Sequence, residues 1–385
     1  MSLKNIFLIL MLCLASHAFS QGSVNVIFDS DMGPDYDDVG AITMLHAFAD
    51  NGEVKILATM ASTRYEGVAG VLNVFNTYFN RPGIPVGVPK GNAPDLRDWQ
   101  HWTDTILVKY PHRIKANQQA DDAVALYRKV LAVQPDRSVT IVTVGFLTNL
   151  SGLLNTKGDA ASPLSGYDLV RRKVKQLICM AGKFPSGSEF NVMKDAAASK
   201  NVFTNWPSPV IFSGFGIGDQ IKTGLPLVHN TSIKNSPVKD VFRIAIPKAA
   251  EDSLGRSSWD ETAVLIAVRG YSHWYTIHKG RMIVADDGSN SWDENGTGQA
   301  FIVEKADTRS AVQDLINMLI QHQPTGKVVG KRTTGKVQAT GRSRMSNSTK
   351  SRIAQIEALS RKIDKIEANI KRREKEIAKA EQQEK

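Results

Sequence analysis

The sequence predicts an α/β fold: a mostly parallel central sheet with helices on both faces. Three observations predict it. Short apolar runs recur along residues 24–213, segments with helical periodicity lie between them, and each run ends at a glycine or a polar cluster. Strands that alternate with helices form parallel sheets covered on both faces. In such sheets ligands bind at the carboxyl ends of the strands, so the polar clusters are expected to meet in one site.

The expected strands, in order, are Val24–Phe28, Val54–Thr59, Val139–Val144, Val174–Met180 and Val210–Phe212. Each is a short apolar stretch followed by a turn or polar signal. The first runs into an aspartate cluster, the second into Ser62-Thr63-Arg64, and the last three into glycines at 145, 182 and 214. Helical spacing is expected over Val39–Ala49, Gly67–Phe79, Ala120–Leu131, Leu147–Leu154 and Thr262–Val268.

The ends of the chain have a different texture. Residues 1–20 read as a secretory signal peptide: Lys4, an apolar run from Ile6 to Leu14, then Ala18-Phe19-Ser20 as a small-x-small cleavage site. The protein is therefore expected to be secreted or periplasmic, with no membrane span once the signal is removed. Only Cys179 remains after cleavage, so no internal disulfide is expected, and its apolar surroundings mark it as a buried core residue. Residues 324–350, rich in Gly, Thr, Ser, Lys and Arg, read as a basic flexible linker. Residues 351–385 carry Ile356, Leu359, Ile363, Ile366, Ile370 and Ile377 at heptad-like spacing, the seam of a short coiled-coil helix. The whole chain has a net charge of +10, and residues 326–385 hold 17 Lys and Arg against 7 Asp and Glu. The body, residues 21–323, is thus close to neutral. That argues against nucleic-acid binding there and leaves only weak, sequence-blind polyanion contact for the tail.

The strongest chemical signal is Asp29-Ser30-Asp31-Met32-Gly33-Pro34-Asp35-Tyr36-Asp37-Asp38. Five carboxylates within ten residues repel one another and raise each other's pKa unless a cation sits among them. Hard oxygen ligands on a flexible loop favour calcium, whose shell of several oxygens needs a further carboxylate from elsewhere. Asp260, just ahead of the Thr262–Val268 helix, is placed to supply one.

Asp29-x-Asp31-x-Gly33-x-x-x-Asp37-Asp38 resembles the N-terminal signature of the inosine-uridine nucleoside hydrolase family, with two extra residues before the paired aspartates. Val144-Gly145-Phe146-Leu147-Thr148-Asn149, Glu189-Phe190-Asn191 and Trp259-Asp260 resemble three further family segments in the same order. The resemblance covers about residues 24–320. It implies a Rossmann-like core and calcium-dependent hydrolysis of the N-glycosidic bond of ribonucleosides. Asp31, Asp38, Asp260 and the Val144 carbonyl would hold Ca2+. Asp31 would be the general base, taking a proton from the attacking water. Asp37, Glu189 and Asn191 would hold the ribose, and Asp29 would buttress the loop. Family members commonly form homo-oligomers, a state the heptad pattern also suggests.

Two departures bear on the substrate. Where many relatives carry a histidine before the late aspartate, this chain has Trp259, a residue suited to stacking a purine and raising the basicity of its nitrogens. Trp102 or Trp99 would supply the other face, and His101 beside them is a candidate proton donor. Arg64 stands where relatives have a ribose-binding asparagine. Purine nucleosides are therefore the favoured substrates. Two other readings stay open: a secreted nucleoside-binding protein without turnover, and a haloacid-dehalogenase-like phosphatase with Asp29 as nucleophile.

Overall fold

The structure is a computed structural model that describes residues 22–324. The expected signal peptide, nearly all of the expected linker, the coiled-coil helix and the basic tail lie outside the described residues. Among the described residues no helix is long and apolar enough to cross a membrane.

Thirteen strands are described. They are β1 (Val24–Ser30), β2 (Val54–Ala61), β3 (Val86–Val88), β4 (Asp121–Asp122), β5 (Val139–Thr143), β6 (Val174–Met180), β7 (Ser186–Ser188), β8 (Val210–Ser213), β9 (Lys222–Thr223), β10 (Arg256–Ser257), β11 (Tyr275–Val284), β12 (Ser289–Asp293) and β13 (Gln299–Glu304). Eleven of them form one sheet in the order β4-β3-β2-β1-β5-β6-β8-β13-β11-β12-β7. Pairing is parallel from β4 through β13. It is antiparallel through β11, β12 and β7, which extend one edge. The five strands read from the sequence are the central ones. The antiparallel extension was not anticipated, because β11 and β12 are half-exposed and carry no long apolar run.

Strand β1 sits at the point where the chain order reverses, with β2 on one side and β5 on the other. Both of its neighbours are parallel, so Val26, Ile27 and Phe28 are buried with both faces covered. One face is closed by the helices Asp37–Asp50, Val68–Tyr78 and Trp259–Arg269, whose apolar side chains join Val26 and Phe28 in one core. The helices Ala123–Ala132, Thr148–Leu154 and Ala196–Asn205 close the other, around Ile27, Ile141 and Leu177.

The helix Asp37–Asp50 is buried along nearly its whole length, which leaves no room for a polar stripe. Gly40 is required by that packing. A Cβ there would collide with the Glu261 carboxyl of the helix Trp259–Arg269, so the absent side chain lets the two helices approach. Their approach sets Asp260 beside the aspartate loop at the carboxyl end of β1.

Candidate active site

The loop after β1 turns back on itself. Met32 adopts a left-handed conformation (φ 26°), uncommon for a residue with a side chain and a store of strain where it occurs. Side-chain bonds hold it there. The Met32 amide donates to Ser30 Oγ (3.0 Å) and Asp38 Oδ1 (3.2 Å), and the Tyr65 hydroxyl donates to the Met32 carbonyl (2.8 Å). Gly145, after β5, lies so close that a Cβ would run into the Asp31 amide and Ser62 Oγ.

Asp29 lies beneath the loop. Its carboxylate accepts from the Tyr127 hydroxyl (2.8 Å) and from Asn149 Nδ2 (3.1 and 3.2 Å), and Asn149 also donates to the Ala61 carbonyl (2.7 Å). The Leu147-Thr148-Asn149 segment thereby ties the ends of β1, β2 and β5 together. Burial raises the Asp29 carboxyl to about 7 against those hydrogen bonds.

The other four carboxylates of the loop converge with Asp260. Asp31, Asp35, Asp37 and Asp260 line a cavity of about 290 Å3 at the carboxyl ends of the central strands. Burial, then repulsion from Asp38 and Asp35, pushes the Asp31 carboxyl well above the usual range. Burial, then Asp37 and Asp38, does the same to Asp260. Asp38 accepts the Ser30 hydroxyl on Oδ1 (2.6 Å), but its buried Oδ2 has no hydrogen-bond partner. Asp35, Asp37 and Asp260 offer oxygens within 4.8 Å of one another. Crowded carboxylates, one with an orphaned buried oxygen, suit a hard divalent cation: the ion would relieve their repulsion and satisfy the free oxygen. The residues present therefore fit a metal. The tightest carboxylate group includes Asp35, to which the sequence assigned no role.

The largest feature that sequence reasoning missed is Arg256, in β10. It is buried, and its guanidinium meets Asp35 (2.7 Å), Asp37 (2.8 Å from Nη2, 3.0 Å from Nε) and, more distantly, Asp252 (3.8 Å). Burial works against its charge, but Asp37, Asp35 and Asp252 outweigh that and hold its pKa far above the ordinary value. The same guanidinium lies over the rings of Trp259 (4.9 Å) and Tyr36 (5.0 Å). Its sequence signal was a lone cation four residues before Asp260, facing five uncompensated carboxylates.

Several expected site residues have duties other than those assigned. Asp37 lines the cavity, but Oδ1 accepts from Arg256, while Oδ2 faces the Trp259 and Asp260 amides (3.2 and 3.3 Å). Burial and the neighbouring Asp35 raise its carboxyl to about 7 against the pull of Arg256. Glu189 also lines the cavity. It caps the helix Phe190–Lys194, accepting from the Asn191 (2.8 Å), Val192 (3.2 Å) and Gly182 (3.1 Å) amides. Asn191 Nδ2 donates to the Val144 carbonyl (3.0 Å), which fixes the carbonyl expected to face a cation. Trp259 borders the cavity beside Phe215 (ring centroids 5.3 Å apart), with its Nε1 donating to the Phe215 carbonyl.

Three expectations are corrected. Arg64 is half-exposed, pairs with Asp95 at 3.8 Å, and does not line the cavity. Trp102 is fully buried at the start of the helix Trp102–Lys109 and faces the core; the tryptophan at the cavity is Trp99, which is 57% exposed. His101 is exposed, pairs with Asp104 and is not part of the lining, so it is not placed to donate a proton there.

Comparisons with known proteins agree with this geometry. Residues 26–313 match the family described as inosine-uridine preferring nucleoside hydrolase. No curated protein matches the sequence. Among solved structures, a plant nucleoside hydrolase aligns with a TM-score of 0.61 at 19% identity, covering 77% of this chain and 99% of its own. The purine-preferring ribonucleoside hydrolase of Gardnerella vaginalis aligns with a TM-score of 0.60 at 15% identity over the same shares. A type III effector protein, XopQ, solved with adenosine diphosphate ribose, aligns with a TM-score of 0.56 at 13% identity, covering 83% of this chain and 99% of its own. At these identities the structural likeness establishes the fold.

Proposed function

The chain belongs to the inosine-uridine preferring nucleoside hydrolase family and is a nucleoside hydrolase; from its site we propose that it cleaves ribonucleosides to free base and ribose with calcium, favouring purines. The observation that carries the proposal is the buried carboxylate cluster with an unpartnered Asp38 Oδ2 at the mouth of β1.

In this reading Asp31, Asp38, Asp260 and the Val144 carbonyl hold the ion. When bound, calcium lowers the pKa of water and neutralises the crowded carboxylates. Asp31 lines the cavity and takes the proton from the attacking water. The surrounding carboxylates stabilise the positive charge that develops on an oxocarbenium-like ribose. Glu189 and Asn191 shape the ribose side. Asp37 acts mainly through Arg256 and the amides of Trp259 and Asp260, holding the late segment against the loop. Trp259 and the exposed Trp99 are the stacking surfaces for a base. A diphosphate such as the ligand of XopQ is disfavoured here, because carboxylates far outnumber cations in the lining.

Export to a periplasm or the medium, homo-oligomer formation and weak polyanion contact rest on sequence pattern alone and are part of the same proposal.

The test is release of base and ribose from inosine, guanosine, adenosine, uridine and cytidine, with calcium and after EDTA, for the wild type and Asp31→Asn. Release that disappears with EDTA and in the variant supports the reading. Nucleoside binding with no product over hours would replace it with a binding protein that has lost turnover.

A further inference from the structure

Lys183 is a cation held firmly in place with nothing to pair with. It lies just beyond the carboxyl end of β6. The buried Asn290 of β12 grips its backbone twice: the Lys183 amide donates to Asn290 Oδ1 (2.9 Å), and Asn290 Nδ2 donates to the Lys183 carbonyl (2.9 Å). Gly187 of β7, the strand partner of Asn290, leaves the space in which the lysine stem lies, since a Cβ there would meet Lys183 Cδ at 2.7 Å. The ammonium ends 5.7 Å from the centre of the Phe215 ring, at the rim of the cavity. The antiparallel extension of the sheet thus positions this side chain.

A second ammonium, that of Lys194, lies 5.0 Å from the centre of Phe190, another ring of the lining. Both lysines are exposed, and among the described residues neither ammonium has a hydrogen bond or an ion pair. Both come from segments that Glu189 holds. Its carboxylate accepts from the Gly182 amide and caps the helix that Lys194 ends. The cation inside the lining, Arg256, is already engaged by Asp35 and Asp37. The two lysines therefore put unpaired positive charge at the Glu189 end of the rim.

Resting on the nucleoside hydrolase reading, we infer that the two lysines receive a phosphate on C5′, so that the substrates include ribonucleoside 5′-monophosphates. With the base against Trp259 and Trp99 and the anomeric carbon facing Asp31, C5′ is the ribose atom that points past Glu189. A single phosphate there stands outside the carboxylate lining, which disfavours a diphosphate within it. It gains a charge-assisted contact from each ammonium, and the flexible lysine stems let both close on it. The reaction leaves the phosphate ester untouched. The C1′–N bond breaks and its electron pair goes to the base. The water oxygen joins C1′, and one water proton passes by way of Asp31 and solvent to the base. One monophosphate and one water give free base and ribose 5-phosphate.

The experiment measures kcat/KM at equal free calcium for inosine, uridine, their 5′-monophosphates and p-nitrophenyl riboside, whose leaving group needs no acid. For at least one base the monophosphate should match or exceed its nucleoside, and added salt should narrow the preference. Lys183→Met should lower the ratio of monophosphate to nucleoside turnover at least about fivefold, the size of one strong exposed charge contact. Adding Lys194→Met should lower it further. Each ratio is read on one protein sample, so any loss of folded enzyme cancels. Monophosphates cleaved more slowly than their nucleosides for both bases, or a ratio unmoved by Lys183→Met, overturns this inference and leaves the hydrolase reading intact. No release from any of the probes, p-nitrophenyl riboside included, overturns the hydrolase reading itself.

Discussion

Replacing Arg256 with Met should destabilise the metal-free protein strongly, and calcium should mask part of the loss. The methionine keeps most of the volume between Tyr36 and Trp259 but removes the charge. Asp37 is then a carboxylate 1% exposed with no cation beside it. Removing one partner of a buried ion pair costs about 3–5 kcal/mol, because the other charge stays buried. The Asp35 pair adds little, since its carboxylate is 37% exposed and screened by solvent. A domain of roughly 300 residues unfolds with an entropy near 0.6 kcal/mol per degree, so the melting temperature should fall by about 5–8 °C in EDTA. With calcium the deficit should shrink. The ion replaces part of the missing positive charge, and it binds a more negative site more tightly, which adds stability by mass action. Scanning calorimetry of both proteins with EDTA and with excess calcium measures this. Adding Asp37→Asn should recover part of the loss, since the orphaned charge is then gone. A fall of less than about 1 °C in EDTA, or a deficit that widens with calcium, would show that Arg256 does not carry the electrostatic balance of the site.

Three other outcomes follow from the geometry. Gly145→Ala should lower calcium affinity at least about tenfold, measured by titration calorimetry, because a Cβ collides with the Asp31 amide and Ser62 Oγ and displaces the loop; unchanged affinity would mean that the loop and β5 are not tightly coupled. Trp99→Leu should raise KM with little change in stability, whereas Trp102→Leu should destabilise the fold by about 2 kcal/mol or more, the cost of a partial core truncation, and lower the melting temperature accordingly; the reverse pattern would restore Trp102 to the substrate. Stability should also fall in acid through His46, which is buried against Phe79 and hydrogen-bonded to Asn76 at 3.1 Å. Burial lowers its pKa from 6.5 to about 3. Between those values the unfolded chain takes up a proton that the folded protein refuses, so stability is full above the unfolded value and drops by up to about 1.4 kcal/mol per pH unit below it. His46→Gln should flatten that slope in denaturant titrations, and an unchanged slope would assign it to other groups.

The core of the fold was legible because it is written in local pattern. Val26, Ile27 and Phe28 have apolar side chains on both faces, as only a strand covered on both faces requires, and the same holds for β5 and β6. The acidic loop was legible for a similar reason: five carboxylates crowded into ten residues have few stable explanations without a cation. The buttressing role expected of Asp29 agrees with its bonds to Tyr127 and Asn149. The antiparallel strands β11 and β12 were not legible, since half-exposed antiparallel strands carry a weak apolar signal.

By itself, then, the sequence determined the parallel sheet, the carboxylate loop at the end of β1 and the segments that meet there, because each depends on residues close together in the chain. The tertiary structure decided which side chains face the cavity. Arg256 and Asp37 stand 219 residues apart and pair only because β10 packs beside the helix that Asp37 begins. Trp99 and Trp102 stand three apart, and the left-handed turn at His101 (φ 59°) sends one to the cavity and the other to the core. Sequence spacing constrains which residues can be neighbours along one element. It does not fix which way a loop turns or which distant charge will neutralise a buried one, because those are settled by packing and desolvation across the whole domain.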